Sequence, residues 1–177
     1  MDDYILRSAE LSDCGQYRYL LSRNWPMLLI QPKKTFALAF IMLNPSTADD
    51  KVDDPTIRRC MSFARREGYS GIHVVNLYAF RATDPKNITK IKDPERIGPA
   101  NNFFIKQVVA ECPEVVVAWG SHAFAQRRAK EVVKILSGVS IKCLGVNKDG
   151  SPKHPLFVPG NTQLIIWQLC DPRDAIL

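Results

Sequence analysis

Three mostly apolar runs, each emptying into a polar turn, constrain this chain more than any other feature. They are Thr35 to Leu43 (TFALAFIML), Gly71 to Tyr78 (GIHVVNLY) and Glu114 to Trp119 (EVVVAW). A short continuous apolar run bounded by turn residues reads as a strand buried on both faces. Pro45 stops the first run, within Asn44-Pro45-Ser46-Thr47. A fourth, shorter strand is predicted at Ser140 to Leu144.

Between these runs the pattern is helical. Asp54-Pro55 opens a helix, because aspartate suits the N-cap and proline the first helical position. Ile57, Met61, Phe63 and Ala64 form its apolar stripe, and Gly68 or Gly71 ends it. A second helix is predicted from about Asn101 to Cys112, and a third from the Gly120-Ser121 turn to about Leu136. Asn87 to Pro99 reads as irregular and charged, Gln31 to Lys34 as a turn, Gly145 to Gly160 as a polar loop, and Leu164 to Leu169 as a terminal apolar segment. Tyr17 to Leu29 mixes aromatics, leucines and arginines and yields no clear element. Strands alternating with helices give an α/β class with a mainly parallel, four-stranded sheet covered on both faces. Ligands of such sheets bind outside the carboxyl ends of the strands, where three of the polar loops begin.

With 177 residues and no internal repeat, low-complexity tract or Gly/Ser linker, one domain spanning 1–177 is expected. No apolar run approaches the roughly 18 to 20 residues that cross a bilayer, and Met1-Asp2-Asp3-Tyr4 lacks the basic start of a secretory signal. No membrane association and a cytoplasmic location are therefore expected. Five cysteines without a CxxC pair read as reduced, mostly buried thiols. Three histidines without ligand spacing predict no metal, and no cofactor is expected. The net charge of +6 permits a polyanionic partner without requiring one. The oligomeric state is left open.

Five constellations carry candidate chemistry. Asn44, ahead of Pro45 and Ser46, presents an amide at a strand's carboxyl end, able to orient a water or grip a polar ligand, or else to bond its own turn. Arg58 and Arg59 follow the helix start at Asp53-Asp54-Pro55 and are candidates for phosphate, against a simple capped helix with surface ion pairs. Asn76 interrupts an apolar strand, and a buried amide must find partners or cost on the order of 1–3 kcal/mol. Arg81 and Thr83 follow it, where a phosphate or base would be met. Gly120 after a buried strand admits a close approach by ligand or backbone, and Ser121 either meets that ligand or caps the next helix. His154, late in a polar loop, can donate to an anion developing on a leaving group, or simply face solvent. No GxSxG elbow or Ser-His-Asp order supports a hydrolase triad.

Taken together, the segments YRY, IMLNPSTAD, DDPTIRRC, VVNLYAFRATDP, VVVAWGSHA and HPLFV resemble a bacterial and phage family, domain of unknown function 1643, across nearly the whole chain. More distantly, LNPS, VVNLY, WGSHA and HPLF are similar in order to motifs of the uracil-DNA glycosylase superfamily. That resemblance implies a three-layer α/β/α fold and a site for cleaving an N-glycosidic bond. It implies that Asn44 positions the attacking water, that Asn76 reads the base edge and that His154 stabilises the departing base anion. Leu156 or Phe157 then wedges into the base stack when a nucleotide is flipped out. DNA or a nucleotide is the implied partner. Two other readings stay open: a non-catalytic nucleic-acid or nucleotide-binding module, and an enzyme acting on a free modified nucleotide, with Arg58, Arg59 and Arg81 on its phosphate.

Overall fold

The computed structural model describes residues 5–26 and 32–168. Its centre is a seven-stranded mixed sheet rather than a four-stranded one. The strands are β1 (Leu6–Leu11), β2 (Arg18–Asn24), β3 (Leu38–Met42), β4 (Gly71–Asn76), β5 (Glu114–Val117), β6 (Ser140–Cys143) and β7 (Ile165–Ile166), in the order β1-β2-β4-β3-β5-β6-β7. The four predicted strands are β4, β3, β5 and β6, and they run parallel. An antiparallel hairpin, β1 and β2, extends one edge, and β7 pairs antiparallel at the other. The two outer pieces escape the sequence pattern for a physical reason. β1 is an edge strand with little burial, and β2 (RYLLSRN) carries two arginines where a strand is expected to be apolar.

The helices are α1 (Pro55–Arg66), α2 (Pro85–Ile88), α3 (Asp93–Ile97), α4 (Asn101–Glu111) and α5 (Gln126–Ile135). The short α3 and the end of the short α2 lie in the stretch read as irregular, each helix opening at an Asp-Pro step or one residue after it. Along β3 the side chains alternate. Leu38, Phe40 and Met42 pack with Ile57, Met61 and Phe63 of α1, whereas Ala39 and Ile41 pack with Ile105 and Val108 of α4 and Val132 of α5. Period-two burial on both faces is what makes TFALAFIML continuously apolar. Each fully buried side chain of this kind contributes roughly 1.5–3 kcal/mol. Asp54 caps α1 as expected, accepting from Ile57 N at 2.8 Å.

Sheet order fixes where a ligand can enter. The chain leaves β3 for β4 on one side and then returns past β3 to β5 on the other. The carboxyl end of β3 is therefore a switch point, where the loops diverge and leave a crevice. Among the described residues no helix is long and apolar enough to cross a membrane. Cys60, Cys112 and Cys143 are buried thiols and Cys14 is exposed; Cys170, Gln31 and Leu169 lie outside the described residues.

Candidate functional site

A cavity of about 500 Å³ opens at that crevice. Met42, Leu43 and Asn44 reach it from β3, Asn76 from β4, Trp119 and His122 from the loop after β5, and His154 from the loop after β6. Four loops far apart in sequence converge there because the parallel strands all end on the same side.

Asn76 is 1 % exposed, and neither its Nδ2 nor its Oδ1 has a hydrogen-bond partner within the described protein. Its backbone is clamped. Asn101 Nδ2 donates to the Asn76 and Leu77 carbonyls at 3.0 Å each, and Arg128 Nε donates to Leu77 O at 2.9 Å. A rigid backbone with a free amide inside a cavity is a donor–acceptor pair held ready for a ligand. Left dry, each unmet group would cost on the order of 1–3 kcal/mol.

Asn44 is half-buried, and its Nδ2 is spent on Ala82 O (2.7 Å) and Pro45 O (3.0 Å). The amide plane is thereby fixed, and Oδ1 remains as an acceptor within the cavity lining. The turn-bonding reading of Asn44 is met, and the same two bonds orient the free oxygen. Ser46 also lines the cavity, whereas Pro45 is buried behind it and supplies its carbonyl to Ala82 N (2.9 Å).

Leu156 N donates to His154 Nδ1 at 3.3 Å, which assigns the ring proton to Nε2. Burial is the main cause that pushes the His154 pKa down to about 4, the Asp54 carboxylate opposing this and His122 adding to it. The imidazole is therefore neutral at pH 7, with an Nε2–H donor to offer. Gly120, at φ +78°, occupies a conformation that favours glycine and packs beside His122 and His154. Its N–H donates to Pro152 O at 3.0 Å and pins the histidine loop to the end of β5. Ser121 is exposed and donates to Asp149 Oδ2 at 2.5 Å. It neither caps a helix nor lines the cavity. Leu156 and Phe157 stand at the rim, Phe157 being 83 % exposed with its ring 5.5 Å from that of His154.

Other predicted residues fall elsewhere. Arg58 and Arg59 do not line the cavity. Arg58 donates to Asp53 O, and Arg59 donates to Val158 O at 2.6 Å and Pro155 O at 3.3 Å, bracing the turn that follows His154. Arg81 lines an adjoining hollow of about 300 Å³ together with Ser46, Thr47 and Thr83, which line the cavity as well. Of the tryptophans, Trp25 and Trp167 are core residues, and Trp119 is buried yet faces the cavity.

Sequence reasoning missed four groups that line the cavity. Asp54 was read as a helix cap alone, yet its carboxylate both caps α1 and faces the cavity. His122 and Trp119 lie in the WGSHA turn, whose glycine and serine carry the stronger sequence signal. Arg18, 2 % exposed, sits on the unrecognised strand β2. Its signal was an arginine flanked by tyrosines in YRY, which shows itself only once the strand is known.

No curated protein and no solved structure matches the chain. The family described as protein of unknown function, DUF1643, matches residues 18–156. That span contains every cavity residue from Arg18 to Leu156. The chain belongs to this family.

Proposed function

We propose that this protein hydrolyses the N-glycosidic bond of a nucleotide or of DNA, in a site arranged like that of the uracil-DNA glycosylases, within a three-layer fold of their kind. The observation that carries this reading is the unpartnered Asn76 amide, buried at the floor of a cavity large enough for a nucleobase. A neighbouring donor and acceptor on one planar group match the edge of a base, and the apolar walls from Met42, Leu43 and Trp119 suit its faces.

The chemistry follows from the remaining groups. Water held by Asn44 Oδ1 bonds to the sugar C1′, and its proton passes to the Asp54 carboxylate. The C1′–N bond breaks, its electron pair leaves with the base, and His154 Nε2–H donates a hydrogen bond to the anion that results. A neutral histidine suits this role, since burial lowers its pKa to about 4 and its proton is on the free nitrogen. Leu156 and Phe157 at the rim cover the flipped nucleotide or replace it in the stack.

The test is base release from mononucleotides and from single- and double-stranded oligonucleotides carrying uracil, mismatches and modified bases. Release by the wild type, reduced by about 10²-fold or more in Asn44→Ala and His154→Ala, supports hydrolysis. No release from any substrate, with salt-sensitive binding retained, favours a binding module instead.

A further inference from the structure

Arg18 has no use in the reaction just described, yet it is one of the most buried charges in the chain. It lines the cavity, and only one of its guanidinium nitrogens is satisfied, Nη1 donating to Ala48 O at 2.5 Å. Nε is buried without a partner, and no carboxylate lies in salt-bridge contact with the guanidinium. Burial lowers its pKa to about 10, with Asp54 the largest opposing charge, so the group stays cationic at pH 7. A buried cation with empty donors is costly unless something fills them.

Local structure shows that this placement is built. On β2, Leu20 and Ser22 point to the face covered by α4, while Leu21 and Arg23 point to the face covered by α1. Alternation alone would put Arg18 with Leu20 and Ser22. The pairing with β1 instead steps from Glu10–Leu20 to Leu11–Arg18, so Tyr19 is an extra residue and the strand carries a bulge. Tyr19 stacks on Phe104 of α4 at 5.2 Å, and Arg18 is turned over to the cavity side.

We infer that Arg18 is the head of a phosphate subsite, and that the ligand of this pocket is a nucleoside monophosphate rather than a nucleoside or free base. The subsite rests on the nucleotide reading above and names its substrate class. From Arg18 it takes in Ser46, Thr47 and Thr83, which line both the cavity and the adjoining hollow, and reaches Arg81 in that hollow. The three hydroxyls have no hydrogen-bond partner within the described protein, so they are free to donate to phosphate oxygens. Asp49 flanks this path, but its Oδ1 is occupied by the N–H groups of Lys51 and Val52. Of the arginines on α1, Arg59 donates to the Pro155 and Val158 carbonyls and Arg66 to those of Gly160 and Thr162, so these two brace the chain itself. The vacant guanidinium is inside, at a depth suited to a small ligand.

Thermal melting and calorimetry decide it, using the common 2′-deoxynucleoside 5′-monophosphates, the matching nucleosides, inorganic phosphate and a short oligonucleotide. One or more monophosphates should raise the wild-type Tm and bind more tightly than their nucleosides, and inorganic phosphate should compete. Arg18→Met should melt no lower than wild type, because an unpaired buried charge has been removed, while monophosphate affinity falls about 10- to 100-fold. Arg18→Met melting far lower with affinity unchanged would make Arg18 a structural charge and overturn the subsite. Should Arg18→Met not fold, Arg18→Lys and Arg81→Ala decide, and wild-type affinity in both overturns it. Oligonucleotide binding that depends on Arg18 while monophosphates go unbound overturns the monophosphate in favour of a strand phosphate. Melting reads binding without turnover, so the two readings fail separately. A monophosphate held through Arg18 whose base is never released sinks hydrolysis alone. Base release from oligonucleotides with monophosphates unbound sinks the subsite alone.

Discussion

Two regions of the interior treat buried polar groups in opposite ways. Away from the cavity most are consumed, with Asn101 Oδ1 and Trp167 Nε1 the exceptions among the described residues. Arg23, 0 % exposed, donates from Nε to Asp53 at 2.7 Å and from Nη1 and Nη2 to the carbonyls of Ser22 and Asp49. Asn101 spends both Nδ2 protons on carbonyls, and Arg128 reaches Leu77 O and Asn102 Oδ1 (2.6 Å). At the cavity, Arg18 and Asn76 are buried as deeply and left open. Arg18 and Arg23 stand on one seven-residue strand, so neither composition nor burial separates them. Partners do. A group whose donors are filled holds the fold together, and an unfilled one that also lines the cavity is strain that a ligand relieves.

The largest effect expected from this contrast is at Asp53. Asp53→Ala leaves Arg23 buried without its carboxylate and frees Arg7, which pairs with the other oxygen. Removing one partner of a buried pair costs about 3–5 kcal/mol. Urea unfolding should show that loss with an unchanged m-value. A loss below about 1 kcal/mol would erase the distinction between the saturated set and the open one.

Next in size is acid sensitivity. Burial lowers the pKa values of His73 and His122 and takes that of His154 to about 4. With the folded pKa below the unfolded value near 6.5, the unfolded chain binds more protons between these limits. Stability is therefore complete above about pH 6.5 and declines as pH falls toward 4. His154 alone accounts for about 3 kcal/mol of this decline, and His154→Gln should flatten the stability–pH curve by that amount. An unchanged curve would mean that the ring is solvated and does not belong to the closed cavity.

How much of this was legible beforehand depends on where polarity stands out. Asn44, Asn76 and His154 are polar residues set against apolar runs or turn prolines, and strand ends in a parallel sheet converge, so sequence alone brought them to one place. Arg18 was illegible because its strand is disguised by charge and its facing is set by a bulge, which depends on pairing with β1. Asp54 was half legible: the cap was read from Asp-Pro, but the second role of its carboxylate depends on the cavity that α1 borders. An arginine beside a helix start looks the same in sequence whether it awaits a phosphate, bonds a nearby carbonyl as Arg58 does at Asp53, or reaches a distant one as Arg59 does at Val158. The β1–β2 hairpin and β7, which raise the strand count from four to seven, carry too little apolar signal to be read locally.

Asn76→Leu sharpens the comparison with the smallest stability change and the clearest meaning. The side chains are similar in volume, and the backbone at this position is held by Asn101 and Arg128, not by the Asn76 amide. Replacing an unsatisfied buried amide with an apolar group is close to neutral or stabilising, here by about 1 kcal/mol. Stability should thus stay level or rise while base release and ligand binding are lost. Asn101→Leu is the matched control, since it removes the Nδ2 donor from the Asn76 and Leu77 carbonyls, with Arg128 still serving Leu77, and should cost about 1–3 kcal/mol. If both asparagines cost the same, Asn76 has a structural partner in solution, and the amide is part of the fold rather than an empty place for a base.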